Sequence, residues 1–421
     1  MINSTQKVIV VHPGKQHSYR LADALKKENM LMYYVTTVYD KKFSWTHLLG
    51  KFLNGDNKKR FLTRKSEVFH ENVIQFCEIE GLFLLFLYRK VPNCRITNYI
   101  ENHIHKKVYQ KTIKLAARSG AEAIVFYGGL SDEHFKLKER ICPNIKFIVD
   151  VPSATDQYVR KILERDIEIT GDDYTKKEQY VTWKDGAISE TPVRNKLADG
   201  FLVASLFVKK SLTCYETQAD KIQIVPYGVD ISSFPFKKNM PRHYNKVKFI
   251  FVGRVNRRKG IQHLLPAFRR LDPEKVELII VGQYDEKDIL IKEYQQFDNI
   301  HFKGFVTQDI VTELYKKSDV FVLPSLGEGM AQVGIEAMSC VLSIIVSENS
   351  GVNDLIIDGR EGYIVPASNQ DALYEKMKWF VDNPDKICTM GMNAHKTSQK
   401  YTWEYYGTTV VDAIRKILEE K

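Results

Sequence analysis

The sequence predicts an α/β protein with two doubly wound domains, each built on a parallel sheet. Short runs of β-branched and aromatic residues alternate along the whole chain with segments of helical periodicity. The chain has 421 residues, which is enough for two domains of ordinary size that each bury a core. We therefore expect two Rossmann-like domains that face a cleft formed by the carboxyl edges of their sheets.

The order of the predicted elements places the domain boundary near the middle of the chain. In the first half, the predicted strands are residues 8–11, 123–126, 147–149 and 200–203. In the second half, they are residues 247–252, 276–281, 299–302, 320–323, 343–346 and 363–365. Two prolines and several basic residues predict a linker at 232–246. The domains are thus expected at 1–231 and 247–399, followed by a C-terminal segment, 400–421, that contains an amphipathic helix.

Composition narrows the class of protein. Hydrophobic residues make up 44% of the chain and charged residues 27%, which is typical of a soluble globular protein. The six cysteines form no CxxC pair, so neither a zinc site nor a disulfide framework is predicted. The N-terminus lacks the features of a signal peptide, and the longest apolar run is far shorter than the ~20 residues that span a bilayer. A cytoplasmic location is therefore expected.

The net charge of +10 is compatible with nucleic acid, anionic lipid or phosphorylated substrates. No RNA-recognition, KH or zinc-finger pattern accompanies the charge, so nucleic acid is not expected as a partner. The basic residues are concentrated at 41–65 and 89–90, where they flank apolar stretches. Burial in a core would explain the apolar residues but not the cations. This pattern favours peripheral binding to an anionic membrane surface.

Two glutamates flank the start of a helix in the second half of the chain. The segment 319–347 predicts a buried strand, a loop with glycine, a short helix and another strand, with Glu328 in the loop and Glu336 in the helix. Free backbone N–H groups at a helix start, here around Gly329, Met330 and Ala331, favour an anion such as a diphosphate. A carboxylate further into the helix can accept hydrogen bonds from the hydroxyls of a ribose.

A second motif supplies positive charge. The strand that ends at Val252 is followed by Gly253 and Arg254, and Lys259 precedes the next predicted helix. A guanidinium binds phosphate oxygens in pairs, and an ammonium group acts as a point charge. Arg257 and Arg258 lie between these residues and are expected to be solvated, so they are not assigned to the site.

Together the two motifs resemble those of the family 4 retaining glycosyltransferases, which have the GT-B fold. The resemblance extends to residues 198–230, 350–369 and 403–404, and it covers nearly the whole chain. It implies that a nucleoside-diphosphate sugar is the donor and that Arg254 and Lys259 bind its diphosphate. It also implies that Glu336 binds the ribose, that Glu328 and the neighbouring amides face the sugar and diphosphate, and that Val306 contacts the base. The last helix is expected to cross back to the first domain.

The first domain offers weaker candidates for substrate binding. Gly14 follows the first strand and permits close approach of the backbone to a phosphate or a sugar hydroxyl. Asp150 ends another strand, where family members carry a polar residue near the sugar, and it is a candidate catalytic residue. Lys15 and His17 could contact donor or acceptor, although basic residues on a turn are usually solvated. Each of these positions is also compatible with an ordinary loop.

The resemblance implies attack by an acceptor hydroxyl on the face that the diphosphate leaves, with the departing phosphate accepting the proton. No DxD motif stands in a suitable place, so no metal ion is expected at the diphosphate. A glycan or a lipid-linked glycan, as in the synthesis of a cell-surface polysaccharide, is the expected acceptor. Alternatives are a nucleotide-sugar epimerase, a phosphorylase, a glycoside hydrolase that uses the two glutamates, and a non-catalytic glycan-binding or nucleotide-binding protein.

Overall fold

The structure is a computed structural model, and it describes residues 6–52, 55, 58, 61, 63–90, 95–178, 191–234 and 245–420. Two parallel sheets, of seven and six strands, organise these residues. The prediction of an α/β protein with two doubly wound domains is confirmed. None of the described helices has both the length and the apolar character that a membrane crossing requires.

The N-terminal sheet has the strand order β3-β2-β1-β4-β5-β6-β7. Its strands are β1 (Val8–Val11), β2 (Leu31–Thr36), β3 (Val73–Gln75), β4 (Ala123–Phe126), β5 (Lys146–Val151), β6 (Gly200–Val203) and β7 (Ile222–Ile224). Its helices are α1 (Ser18–Lys27), α2 (Trp45–Phe52), α3 (Glu78–Lys90), α4 (Arg95–Ser119), α5 (Asp132–Ile141), α6 (Asp156–Thr170), α7 (Thr191–Leu197) and α8 (Leu206–Thr213). Strands β2, β3 and β7 were not predicted from the sequence.

The C-terminal sheet has the strand order β10-β9-β8-β11-β12-β13. Its strands are β8 (Val247–Val252), β9 (Val276–Val281), β10 (Ile300–Gly304), β11 (Val320–Leu323), β12 (Ser343–Ser347) and β13 (Gly362–Val365). Its helices are α9 (Ile261–Arg269), α10 (Ile289–Tyr294), α11 (Gln308–Lys316), α12 (Gln332–Ser339), α13 (Gln370–Asp382) and α14 (Pro384–Ser398). Each strand predicted for this half is present; three have the predicted bounds, and the ends of the other three differ by one or two residues.

The strand orders fix where a ligand can bind. In each sheet the direction of winding reverses at one pair of central strands, β1 and β4 in the first and β8 and β11 in the second. The loops that follow such a pair leave opposite faces of the sheet and open a crevice between them. In the C-terminal domain these are the loops that carry Gly253 and Glu328, so the topology brings the two sequence motifs together.

The last helix, α15 (Trp403–Glu419), packs on the N-terminal domain, as the resemblance implied. Ile417 lies so close to Gly200 in β6 that a Cβ there would approach it to 2.7 Å. The Arg415 guanidinium pairs with Glu28 at 2.9 Å. Most of the predicted linker, residues 235–244, lies outside the described residues, and Ile231–Ser233 form a single 3-10 turn before it.

Candidate functional site

Glycine shapes the turn after β8. Gly253 has φ 151°, a value that side chains other than glycine rarely adopt, and its N–H donates to the Val281 carbonyl at 2.9 Å. A Cβ on Gly282, at the end of the neighbouring strand, would lie 1.8 Å from the Gly253 carbonyl oxygen. The two strand ends therefore approach each other through bare backbone, which leaves the crevice edge open.

Glu328 forms ion pairs with two basic residues of the site. The Lys259 ammonium lies 2.8 Å from Glu328 Oε1, and both side chains are nearly buried. Burial lowers the pKa of Lys259, while the adjacent Glu328 carboxylate raises it in opposition. Arg258 donates to the same Glu328 oxygen and, at 2.6 Å, to the Gly327 carbonyl. The sequence prediction that Arg258 is solvated was therefore wrong.

The prediction that Arg257 is solvated was also wrong. Its guanidinium is buried, donates to Asp288 at 2.7 and 3.0 Å, and donates to Asp172. The Tyr174 ring covers it at 4.8 Å. These contacts fix the 3-10 turn Arg257–Lys259, and they place Asp172 in a structural ion pair.

Arg254 differs from its basic neighbours because its side chain is exposed. Among the described residues, no hydrogen-bond or ion-pair partner is found for its guanidinium. It stands one residue after Gly253, at the crevice edge, and is free to bind a ligand bidentately. Its predicted role in binding a diphosphate remains a prediction.

The loop before α12 only partly matches the predicted anion-binding amides. The Glu328 N–H donates to the Asn349 carbonyl at 3.0 Å, and the Ala331 N–H donates to the Ser350 carbonyl at 3.1 Å. Ala331 was expected to offer a free amide and does not. Gly329 and Met330 do keep N–H groups that find no acceptor in the described part of the chain, and they stand next to Glu328.

The other predicted glutamate, Glu336, lies one turn inside α12. Burial raises its pKa to about 7, and a hydrogen bond with Gln308 opposes that rise. Gln308 is the first residue of α11 and follows Val306 by two positions. Val306 is half-buried against the core. The predicted ribose and base residues are thus neighbours, with Gln308 as an additional polar group between them.

In the N-terminal domain, the predicted residues form a buried histidine–aspartate pair. His17 Nε2 lies 3.0 Å from Asp150 Oδ2, and the carboxylate is almost fully buried. The Tyr227 ring lies 4.4 Å from the His17 ring, and Tyr127 lies 5.2 Å away on another side. The hydroxyls of both tyrosines are buried and find no partner among the described residues. His17 is therefore packed and paired, contrary to the expectation of a solvated side chain.

Gly14 forms a tight turn beside this pair. Its N–H donates to His12 Nδ1 at 2.8 Å, so that nitrogen carries no proton. Burial lowers the pKa of His12 to about 4, which keeps the ring neutral at physiological pH. The amide of Gly14 is consequently occupied, and a ligand here would meet the Cα of Gly14 and the side chains around it.

The two halves of the candidate site touch each other. The Ser205 hydroxyl donates to the Gly329 carbonyl at 2.6 Å, and a Cβ on Gly329 would lie 1.8 Å from the Pro152 carbonyl oxygen. The Tyr227 N–H approaches the Met330 sulfur at 3.2 Å. Since the Tyr227 ring also packs against the His17 ring, Met330 connects the Glu328 loop to the His17–Asp150 pair.

Three polar residues of this site were not predicted from the sequence: Arg258, Gln308 and, as the partner of Asp150, His17. Arg258 directly precedes Lys259. The sequence does not show whether such an arginine is solvated or pairs with Glu328. Gln308 could have been found from its spacing, because it begins the helix that follows Val306. The His17–Asp150 contact joins residues 133 positions apart and has no local signal.

Comparison with known proteins agrees with this geometry. Residues 234–397 match the family model described as glycosyl transferases group 1. This part of the chain is therefore similar to the group 1 glycosyl transferases. The chain is 26% identical over 218 residues to the capsular polysaccharide biosynthesis glycosyltransferase CapM of Staphylococcus aureus, which covers 46% of this chain and 56% of CapM. The chain spans about half the length of the curated relatives it matches.

Solved structures resemble the whole chain. Sucrose-phosphate synthase from Thermosynechococcus elongatus superposes with a TM-score of 0.66 at 18% identity, over 98% of this chain and 99% of that chain. HepE of Anabaena, solved in complex with UDP, superposes with a TM-score of 0.61 at 13% identity, over 98% and 100% of the two chains. The two domains of the chain therefore have the GT-B fold.

Proposed function

We propose that the protein is a retaining glycosyltransferase that moves a sugar from a nucleoside-diphosphate sugar to an acceptor hydroxyl. The observation that carries the proposal is the cation cluster around Glu328 at the winding reversal of the C-terminal sheet. Arg254, Arg258 and Lys259 contribute three positive charges against the one negative charge of Glu328. A net charge of +2 at a crevice edge suits a diphosphate leaving group, whose developing charge it stabilises.

The same cluster disfavours a glycoside hydrolase. A hydrolase needs one carboxylate as nucleophile or base and another as acid. Glu328 is neutralised by Lys259 and Arg258, and its Oε1 accepts from both, which makes it a poor nucleophile. A sugar leaving group also has no need of three cations. The retaining reaction therefore proceeds without a protein nucleophile, and the departing phosphate accepts the proton of the acceptor hydroxyl.

Glu336, Gln308 and Val306 form the nucleoside end of the donor site in this proposal. HepE, which has the same fold, was solved in complex with UDP, and this supports a nucleotide as a ligand of the present chain. The acceptor lies on the N-terminal domain, with His17 and Asp150 near the transferred sugar. Arg254 and Lys259 supply the charge that a divalent ion supplies in other transferases, so activity is independent of metal.

The acceptor belongs to cell-surface polysaccharide synthesis and is lipid-linked. The likeness to a capsular polysaccharide transferase supports the first part. The second rests on an apolar surface of the N-terminal domain, where Phe43 and Phe52 are 92% and 76% exposed. Trp45, Leu48, Leu49, Phe83 and Phe86 are also exposed there. Burial in the core does not explain these side chains. Contact with the cytoplasmic face of a membrane does.

Product analysis tests the proposed function. Thermal shift with UDP-, GDP- and ADP-sugars identifies the donor, and proton NMR of a freshly formed product reads the anomeric coupling. We expect the donor's anomeric configuration in the product and full activity in EDTA. An inverted coupling would exclude the retaining mechanism, and dependence on a metal would exclude the charge argument. A change in the donor sugar without any acceptor would instead favour the epimerase.

A further inference from the structure

A cleft of about 80 Å³ opens in the N-terminal domain on the side of the Gly14 turn. Its walls come from the turn after β1, from the end of β2, and from α3 and α4. Val38, Leu84 and Ile104 make much of the lining apolar. Arg64 also lines the cleft, and it brings a guanidinium into largely apolar surroundings beside the Gly14 turn.

Arg64 lacks a counter-ion within the described ranges of the chain. Its guanidinium is largely withdrawn from water, and burial lowers the pKa of Arg64. Glu101 lines the same cleft, but its carboxylate accepts from Tyr88 and faces His105 at 3.8 Å. Burying a guanidinium without an anion costs free energy. An anion that binds to Arg64 would recover part of that free energy.

Lys15 adds a second cation beside Arg64. Its ammonium donates to the carbonyl of Thr63, the residue before Arg64, and lies 5.0 Å from the centre of the Tyr19 ring. Burial and the charges of Arg64 and Arg20 lower the pKa of Lys15. Like charges held together repel each other, and an anion bound between them relieves the repulsion.

We propose that Arg64 and Lys15 form a subsite for a phosphate group of the acceptor, next to the Gly14 turn. Two neighbouring cations match the charge of a phosphate ester, and the guanidinium can bind two of its oxygens. The apolar wall at Leu84 and Leu85 leaves room for carbon on the far side of the phosphate. The subsite rests on the proposed function, because it assigns the chemistry of the acceptor in that reaction.

Calorimetry with glycerol 3-phosphate tests the subsite, with glycerol as the neutral probe. Wild type should bind the phosphate and not glycerol. Arg64→Gln and Lys15→Gln should each weaken binding at least about tenfold, the loss expected for a charged hydrogen bond. Arg64→Lys should recover part of the affinity that Arg64→Gln loses. Lys65→Gln, which changes an exposed neighbour, should leave the affinity unchanged.

Since phosphate could also bind the donor cations, Arg254→Gln is measured in parallel and should keep its affinity for glycerol 3-phosphate. Loss of affinity in Arg254→Gln alone, unchanged affinity in Arg64→Gln, or no binding to wild type would each overturn the subsite. The backbone of Arg64 bonds to Phe61 and Asp40 without its side chain, so Arg64→Gln should fold. Melting temperatures verify this, and Lys15→Gln supplies an independent variant.

Nucleotide binding distinguishes failure of the subsite from failure of the proposed function. Binding of nucleotides without binding of glycerol 3-phosphate rejects the subsite alone. The reverse result supports the subsite and rejects the proposed donor site. A short-chain phosphatidic acid, used as a monomer, then identifies the source of the phosphate. Tighter binding than glycerol 3-phosphate indicates a lipid phosphate, and equal binding indicates a phosphorylated acceptor free in solution.

Discussion

Glu328 shows why a single residue can organise a cationic site before its ligand arrives. Without Glu328, Arg258 and Lys259 would be two nearly buried cations in mutual repulsion. With it, they are held at the crevice edge while the site keeps an excess of positive charge. An arriving diphosphate competes with Glu328 for these cations, and Arg254 binds it without such competition.

Removing Arg254 and removing Lys259 should have different consequences for stability. Arg254→Ala should lower turnover by ~100-fold or more, as expected for the loss of one preorganised charge, with an unchanged melting temperature. Lys259→Ala should lower turnover similarly, and it should also lower the melting temperature by several degrees, because Lys259 is buried against Glu328.

Lys275→Ala is the control for this pair, because Lys275 is an exposed lysine at the opposite edge of the sheet, before β9. It should leave turnover and the melting temperature unchanged. Turnover close to that of wild type for Arg254→Ala, at saturating donor, would remove Arg254 from the site.

The raised pKa of Glu336 predicts a pH dependence of donor binding. Ribose hydroxyls donate more strongly to a carboxylate than to a carboxylic acid. With a pKa of about 7 in the free protein, affinity for the nucleotide sugar should rise about tenfold from pH 6 to pH 8. The diphosphate of a nucleotide sugar does not titrate in this range. Calorimetry should show a much flatter profile in Glu336→Gln, and an unchanged one in the exposed Glu286→Gln.

The same group affects the stability of the protein without ligand. Its pKa rises from 4.5 to about 7 on folding, so the folded state holds the proton more tightly. The resulting contribution to the free energy of unfolding is fully present below pH 4.5 and is lost as the pH rises through about 7.

A pH profile of donor affinity that is the same in wild type and Glu336→Gln would place Glu336 outside the donor site.

At the scale of elements, the loop between β11 and α12 closes the contact between the domains. Gly329 lies against the Pro152 carbonyl of the N-terminal domain and accepts from Ser205. A side chain cannot fit there while the domains are together. The contact joins the two domains, however, so the clash need not unfold either of them. This loop is therefore an element where catalysis and folding can be altered independently.

Gly329→Ala should lower turnover by at least ~100-fold while donor affinity falls little, because the donor binds mainly to the C-terminal domain and the chemistry needs both. Gly327→Ala is the matched control in the same loop. Its Cβ would meet Val159 and Phe207 at 3.4 and 3.5 Å, which is ordinary contact. Turnover and calorimetry of both variants check this. Equal turnover in the two variants would mean that close approach at Gly329 is dispensable.

The sequence was most informative about the elements of the C-terminal domain. Its strands are nearly continuous apolar runs, and a strand buried on both faces is recognisable in that form. The missed strands of the N-terminal sheet have weaker patterns. β3 and β7 are three-residue edge strands, and β2 contains Tyr33 and Tyr34 in a run without clear alternation.

The site was predictable where its residues are close in sequence or share a sheet edge. Gly253, Lys259 and Glu328 follow from strand ends in one parallel sheet. The contacts of Arg258 with Glu328 and of His17 with Asp150 were not predictable in this way. Arg258 could turn to Glu328 or to water, and only the 3-10 turn fixed by Arg257 decides between them. His17 follows β1 and Asp150 lies in β5, with β4 between the two strands, so their contact depends on the strand order of the N-terminal sheet.

At the scale of the molecule, the exposed apolar surface and the phosphate subsite lie in the same region of the N-terminal domain. Helix α2 carries Trp45 and Phe52, and the Thr46 N–H and hydroxyl donate to Glu78 of α3 at 2.7 and 2.6 Å. This contact holds the two apolar helices together. Leu84 and Leu85, on α3, line the cleft below. A membrane-bound acceptor could thus reach the cleft without leaving the bilayer surface.

Flotation with anionic liposomes tests this arrangement. Lys42, Lys51, Arg89 and Lys90 are exposed beside the apolar helices, and each can contribute ~1 kcal/mol at an anionic leaflet. Replacing these four with Ser, or Phe43, Trp45 and Phe52 with Ser, should abolish flotation at low salt. Replacing the exposed Lys275, Lys292, Lys396 and Lys400 of the C-terminal half removes the same charge and should not. If both cation variants lose binding equally, net charge alone drives attachment, and if wild type does not float, the acceptor is soluble. Binding that depends on the N-terminal residues alone would locate the membrane contact at α2 and α3, beside the proposed phosphate subsite.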